Sequence, residues 1–163
     1  MKIAVFSDSH GMCKYMLDET AKLTKSITLN YIIHLGDLVQ DAQTLQKKFP
    51  EIPVLYVYGN CDFAYDRSKQ EKELEFDGKK FFILHGDTRR VKYSLDGLQA
   101  VAAQKDYDII LYGHTHTPYK TYSNGAYIIN PGSISFNRDG SNTRSYCVID
   151  ITGDTLDANI VYV

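Results

Sequence analysis

The chain has 163 residues, of which 44% are hydrophobic and 23% are charged, and its formal net charge is −2. This length and composition predict one globular domain over residues 1–163. The slight acidity gives no strong sign of nucleic-acid binding, because a nucleic-acid-binding face normally carries an excess of Lys and Arg.

The first half of the chain alternates strand and helix patterns. "KIAVFSD" reads as a buried strand, and residues 12–27 carry apolar side chains at helical spacing. "YIIHLGD" and "VLYVYGNCD" repeat the strand pattern, with a helix-like segment at 41–48 between them. This alternation predicts right-handed crossovers and a parallel sheet.

The second half contains turn signals typical of hairpins. A helix is predicted over 94–105, and "YDIILYGHTH" is predicted as a buried strand. Together with the first half, this pattern predicts two packed sheets with helices outside. The hairpin turns are expected at Asp77-Gly78, Asn124-Gly125 and Gly153-Asp154.

The cysteines and the first residues bear on cellular location. Cys13, Cys61 and Cys147 lie far apart, which favours neither a disulfide framework nor a cysteine-rich zinc site. Free thiols are typical of a reducing cytosol. The opening "MKIAVFSDSH" has only four apolar residues in a row, too few for a signal sequence or a membrane span. We expect a cytoplasmic protein without membrane contact, and a homo-oligomer stays open.

Side chains that can bind a metal follow nearly every predicted buried strand up to residue 116. Parallel strands deliver such groups to one edge of a sheet, where ligands bind. Oxygen and imidazole donors suit Mn²⁺, Fe²⁺, Ni²⁺ or Zn²⁺. Two ions about 3.5–4 Å apart would activate a bridging hydroxide for attack on phosphorus. The side chains are Asp8, His10, Asp37, Asn60, Asp62, His85, Asp87, His114 and His116.

Each of these residues also has a simpler interpretation. A strand-end aspartate such as Asp8 or Asp37 can cap the following helix, and His85 alone can be an ordinary polar residue. These explanations would have to hold independently at five strand ends, so we predict a metal site. His34 lies three residues before Asp37, on the opposite face of its strand, and is predicted to be structural.

Five short motifs in this order resemble the signature of the calcineurin-like metallophosphoesterases. They are "DSHG", "LGDLV", "GNCD", "LHGD" and "GHTHTP", and the resemblance spans residues 4–135. With "NPGS" at 130–133, the chain looks most similar to the small prokaryotic phosphodiesterase branch. The resemblance implies an α/β fold, a four-layer α/β/β/α sandwich of two mixed sheets with flanking helices.

The resemblance also implies a dinuclear metal site bridged by Asp37. Asp62 matches an aspartate that would orient a catalytic residue. Mn²⁺ is our first choice for both ions, with Ni²⁺, Fe²⁺ or Zn²⁺ as alternatives. One implied ligand set is Asp8, His10, Asp37 and His116, and the other is Asp37, Asn60, His85 and His114.

Two positions depart from the family pattern. Many members carry His where Cys61 stands, and that His is taken to protonate the leaving group; many small members carry His where Asp87 stands. A ligand role for Cys61 is disfavoured because the oxygen and nitrogen set is complete. A nucleophile would need an activating base. We interpret Cys61 as occupying the catalytic acid's position without matching its chemistry. A thiol of pKa about 8.5 can donate a proton, but less well than an imidazolium of about 6.5.

Other side chains could contact a substrate. Arg89 and Arg90 could clamp a phosphate, or they could form a solvated basic pair. Arg138 is a weaker candidate. Tyr58 and Tyr65 could stack on an aryl group, although packing is the simpler role.

The predicted function is a divalent-metal-dependent phosphodiesterase acting on small phosphodiesters. The first alternative is a non-catalytic binding scaffold on the same fold, because the eukaryotic retromer scaffold subunit resembles this family and also lacks the site histidine. The second alternative is a phosphomonoesterase.

Overall fold

The computed structural model describes residues 1–63 and 69–163. Tyr65, predicted above to stack or to pack, lies outside the described residues. Among the described residues, no helix combines the length and apolar character needed to cross a membrane. In chain order the elements are β1 Lys2–Phe6, α1 Cys13–Ser26, β2 Tyr31–His34, α2 Val39–Lys48, β3 Val54–Tyr56, β4 Glu71–Phe76, β5 Lys79–Leu84, α3 Asp96–Gln104, β6 Ile109–Tyr112, β7 Tyr119–Ser123, β8 Ala126–Asn130, β9 Ser145–Thr152 and β10 Thr155–Tyr162.

The first sheet has the strand order β10-β9-β1-β2-β3. Strands β1, β2 and β3 run parallel, as the alternating pattern predicted, and helices α1 and α2 connect them. The last two strands form a hairpin that returns to this sheet, so that β9 lies antiparallel to β1. The first sheet is therefore mixed.

The second sheet has the strand order β4-β5-β6-β8-β7. Its central strands β5, β6 and β8 are parallel, and the two hairpins add β4 and β7 at the edges in antiparallel pairing. Both hairpin turns have positive φ at the predicted positions, from Asp77 to Gly78 and from Asn124 to Gly125. This sheet is also mixed.

The layers follow from which face each strand residue occupies. Along β1, Ile3 and Val5 belong to a core shared with Phe81 and Ile83 of the second sheet, so the two sheets pack face to face. Ala4 and Phe6 face the other way and pack with residues of α1 and α2, as alternation requires. A third apolar cluster joins α3 to the second sheet. The predicted four-layer α/β/β/α sandwich is confirmed.

The edge that carries the candidate ligands differs from the prediction in one respect. The sequence pattern placed all five strand ends on one sheet, whereas β1, β2 and β3 belong to the first sheet and β5 and β6 to the second. The ends still meet, because the sheets are stacked and their carboxyl ends lie on the same side of the sandwich. A direct link between the sheets is the hydrogen bond that His85 Nδ1 donates to Leu35 O at 2.7 Å.

Candidate metal centre

The backbone is unusual at the candidate ligands. Five of them have positive φ, a region that non-glycine residues adopt rarely. Such conformations cost free energy and persist only when the surrounding contacts fix them. The five residues are Asp8 (54°), His10 (46°), Asp37 (60°), His114 (67°) and His116 (57°).

Glycines let the loops of the centre approach one another closely. A Cβ at Gly59 would lie 2.3 Å from Asp37 Oδ1, and one at Gly113 would lie 2.1 Å from Ser7 Oγ. Real Cβ atoms do not occur at such distances. These two positions therefore require glycine for the loops to pack as they do.

The first cluster of donor atoms consists of two carboxylates and two imidazoles. His116 Nε2 lies 3.2 Å from Asp8 Oδ1 and 3.0 Å from His10 Nε2. His10 Nε2 lies 3.6 Å from Asp37 Oδ2. One ligand atom from each residue can be chosen so that all lie within 4.8 Å of one another, close enough to surround a single ion.

The second cluster lies on the other side of Asp37. His85 Nε2 is 3.4 Å from Asp37 Oδ1, 3.2 Å from His114 Nδ1 and 3.2 Å from Asn60 Oδ1. Asp37 thus directs Oδ2 toward the first cluster and Oδ1 toward the second, as a shared ligand would. Burial, together with the charges of His85 and Lys92, lowers the pKa of His114 to about 4, so its ring is neutral at pH 7.

The protonation pattern of His85 fits a bound cation. Its Nδ1 donates to Leu35 O, so in the neutral ring Nε2 carries a lone pair. That lone pair faces the oxygens of Asp37 and Asn60, which carry no hydrogen. Converging acceptors repel one another unless a cation lies between them, and a His fixed by a carbonyl at its other nitrogen is typical of metal sites.

His116 and Asp8 repeat this arrangement in the first cluster. His116 Nδ1 donates to Phe136 O at 3.3 Å, which leaves Nε2 facing Asp8 Oδ1. Asp8 is fully buried and its Oδ1 accepts no hydrogen bond with acceptable geometry. Burial raises the pKa of Asp8, but the contact with His116 and the charge of His85, which act when these rings are protonated, together with the Ser7 hydroxyl outweigh it and bring the pKa to about 2. An ionised, buried and incompletely paired carboxylate fits a divalent cation.

Asp62 holds the backbone that presents Asp37. Its carboxylate accepts hydrogen bonds from the N–H groups of Asp37 and Leu38 at 3.1 Å, Val39 at 2.6 Å and Gly59 at 2.7 Å. The carboxylate therefore ties the loop after β3 to the start of α2. Its predicted role in orienting a catalytic residue stays a prediction, since the contacts seen are to backbone.

Cys61 belongs to neither cluster. Its N–H donates to Asp37 Oδ1 at 2.9 Å, and the Sγ of this exposed residue accepts from Asn60 Nδ2 at 3.3 Å. Partial burial of the thiol, followed by the Asp37 carboxylate, raises its pKa to about 11. The thiol form therefore predominates at neutral pH. Neither Cys61 nor the other two cysteines, Cys13 and Cys147, form a disulfide bond.

The loop after β8 contributes contacts that the motif analysis did not assign. The hydroxyls of Ser133 and Ser135 both donate to Asp8 O at 2.9 Å. Asn130 Nδ2 donates to Gly113 O at 2.9 Å, and Arg138 N donates to His116 O at 2.8 Å. The "NPGS" motif was the available signal, since it marks a tight polar turn directly after a buried strand.

The arginine pair is engaged in other contacts. Arg89 Nε and Nη2 donate to the Glu71 carboxylate at 2.7 and 2.8 Å, and Arg90 lies over the Tyr93 ring at 5.8 Å from its centroid. The clamp stays a prediction, and for Arg89 it requires exchange of the Glu71 partner. Tyr58 packs against the Tyr56 ring at 6.1 Å. Asp87 accepts from Gln70 Nε2 at 3.4 Å.

His34 is completely buried between the loops of β1 and β2. Its Nδ1 accepts from Gly36 N–H at 3.3 Å and its Nε2 donates to Ser9 Oγ at 3.0 Å. Ser9 Oγ donates in turn to Asp37 O at 3.3 Å. These contacts agree with the structural role predicted for His34.

Comparison with known proteins identifies the class to which this fold and site belong. Residues 1–154 match the family model of the calcineurin-like phosphoesterase superfamily domain. The chain is a member of that superfamily.

Individual relatives agree with this assignment. The chain is 31% identical to the probable metallophosphoesterase YsnB of Bacillus subtilis, over 94% of this chain and 86% of YsnB. It is 24% identical to the phosphodiesterase YfcE of Escherichia coli K12, over 92% of this chain and 88% of YfcE. The fold is also that of the Entamoeba histolytica Vps29 structure complexed with zinc, with a TM-score of 0.76, 18% identity, and coverage of 100% of this chain and 98% of Vps29.

Proposed function

We propose that this metallophosphoesterase is a phosphodiesterase that hydrolyses small phosphodiesters with two divalent ions, Mn²⁺ being our first choice. A cytosolic location and the absence of a nucleic-acid or membrane partner are part of the proposal, and a homo-oligomer stays open. The similarity to the phosphodiesterase YfcE supports the choice of diester over monoester. The seven predicted ligands are Asp8, His10, Asp37, Asn60, His85, His114 and His116.

The observation that carries the proposal is the shared carboxylate of Asp37. Its two oxygens face separate clusters, each of which presents lone pairs and carboxylate oxygens to a common point. A single-ion site would leave one of these clusters without a cation. Two bound ions would supply an activated water and compensate charge on the phosphoryl oxygens.

The protein's own groups prepare the site for this chemistry. Asp62 and the Cys61 N–H fix Asp37 in place, so the shared carboxylate needs little rearrangement during reaction. His85 and His116 are held as acceptors at Nε2 by the carbonyls of Leu35 and Phe136.

Departure of the leaving group is the step for which the chain is poorly equipped. General acid catalysis typically contributes about 10²–10⁴-fold. A Cys61 thiol with a raised pKa is a weak proton donor. We therefore expect esters with aryl leaving groups, which depart without a proton, to react much faster than alkyl esters.

The test is turnover of bis(p-nitrophenyl) phosphate by protein stripped with a chelator and then titrated with Mn²⁺. We expect activity to disappear on stripping and to return as two ions bind per chain, with a rise in the melting temperature because the ions bind only the folded state. Activity that persists in the stripped protein would contradict the two-ion proposal. Metal binding without ester turnover would favour the scaffold alternative, and faster turnover of p-nitrophenyl phosphate would favour a phosphomonoesterase.

A further inference from the structure

Four large apolar side chains stand exposed on loops that carry the candidate ligands or contact them. We call this set the apolar rim. Isolated exposed apolar residues are ordinary, but a group of them around a polar site indicates a binding surface. The rim consists of Met12 (52% exposed), Phe63 (88%), Tyr93 (86%) and Phe136 (51%).

Backbone contacts place the rim beside the metal centre. Phe136 supplies the carbonyl that accepts from His116 Nδ1, and its own N–H donates to Ser133 Oγ. Met12 lies two residues after the ligand His10, and its N–H donates to Ser9 O. These two rim residues therefore flank the first cluster from different loops.

The other two rim residues lie on the loops of the second cluster. Phe63 directly follows Asp62, whose carboxylate holds Asp37 and Gly59. Tyr93 follows β5 and its N–H donates to Arg90 O, so it belongs to the loop that begins at His85. The Arg90 guanidinium lies over the Tyr93 ring. The rim thus comes from four separate loops at one end of the sandwich.

We propose that the apolar rim binds an aromatic group attached to the substrate phosphorus, so that aryl-substituted phosphoesters are the preferred substrate class. This inference rests on the proposed function and deepens it. Ionised and imidazole donors at the centre of the site suit the phosphoryl oxygens through bound ions, whereas flat aromatic side chains at its border suit a planar ring. A methyl substituent would leave the rim in contact with water.

A binding experiment can separate the rim from catalysis. Phenylphosphonate and methylphosphonate carry the same oxyanion group and differ in the substituent on phosphorus. Calorimetric titration of the Mn²⁺-loaded protein should give a dissociation constant about three- to tenfold lower for phenylphosphonate, the range expected for one aromatic contact. Because neither compound has a leaving group, the preference does not depend on turnover.

Substitutions in the rim locate the preference. Phe136→Ala should reduce the preference for phenylphosphonate toward one, and Phe136→Tyr should retain it. Tyr122→Ala is the matched control, because Tyr122 is 64% exposed and pairs with Tyr127 near the opposite end of β8 from the site.

The outcomes are distinguishable. Equal affinity of the wild-type protein for both phosphonates, or an unchanged preference in both Phe136→Ala and Phe63→Ala, would overturn the rim proposal while diester turnover stood. Failure of the Mn²⁺-loaded protein to bind either phosphonate and to hydrolyse any diester would overturn the proposed function and the rim proposal together.

Discussion

Lowering the pH should destabilise the metal-free protein through His34. The imidazole is completely buried, and burial lowers its pKa from 6.5 to about 4. A proton added at Nδ1 would also face the N–H of Gly36, which now donates to that nitrogen. The folded state therefore resists a proton that the unfolded chain accepts near pH 6.5.

The sign and size of the effect follow from this difference in pKa. Because the folded-state pKa lies below the unfolded value, the contribution is complete above about pH 6.5 and is lost as the pH falls toward 4. At about 1.4 kcal/mol per pH unit, the free energy of unfolding should fall by on the order of 3 kcal/mol across that interval. The corresponding loss for Asp8, whose pKa is lowered to about 2, occurs at lower pH and does not overlap.

The assay is urea unfolding between pH 4 and 8 in the presence of a chelator, because metal binding is itself pH-dependent. His34→Gln removes the titrating group while leaving an amide that can donate to Ser9. We expect this variant to be less stable at pH 7 and its free energy of unfolding to fall less between pH 6.5 and 4, because only the contribution of His114, whose pKa is also lowered to about 4, remains. His114 titrates in both proteins, so the difference between the two profiles isolates His34.

Ser9→Ala is the matched control. Since burial lowers the pKa of His34, removing the hydroxyl should lower stability but retain the pH dependence. Parallel profiles for wild type and His34→Gln from pH 6.5 to 4 would refute the reasoning, as would a flat wild-type profile.

Three further predictions concern the metal centre. Asp37→Asn should bind Mn²⁺ more weakly in calorimetric titration and retain less diesterase activity than Asn60→Ala, because Asp37 faces both clusters. An Asp37→Asn variant with two bound ions and normal turnover would contradict this. Gly59→Ala should lower the melting temperature and Mn²⁺ affinity, since its Cβ would clash with Asp37. The control is Gly97→Ala in α3: a Cβ there would lie 3.9 Å from its nearest atom, Arg89 O, so this variant should be neutral or stabilising by up to about 1 kcal/mol. Cys61→Ser should change aryl-diester turnover by less than about tenfold, and a collapse of that turnover would make the thiol an acid or nucleophile.

The sequence by itself determined the elements and the chemistry available at their ends. Runs such as "KIAVFSD" and "YIIHLGD" form strands because apolar residues there can be buried on both faces, and the turn residues at Asn124-Gly125 fix a hairpin locally. Oxygen and imidazole side chains at the ends of these strands were visible without coordinates. The structure brings them together, and their role as ligands stays a prediction.

Only the tertiary structure decided how these ends are distributed and held. β9 returns from the end of the chain to pair with β1, with Cys147 opposite Val5, and five ligand-bearing strands divide between two sheets. Local patterns do not encode such pairings, because they depend on which apolar faces bury one another.

The same holds for the partners of individual side chains. Asp62 accepts four backbone N–H groups that folding brings together, and its role in orienting a catalytic residue stays a prediction. From the sequence alone, Arg89 could clamp a phosphate or be solvated, and in the folded chain its guanidinium donates to Glu71 on the neighbouring strand. A side chain's type limits what it can bind, whereas its actual partner depends on backbone groups that are distant in sequence and meet only when the two sheets stack.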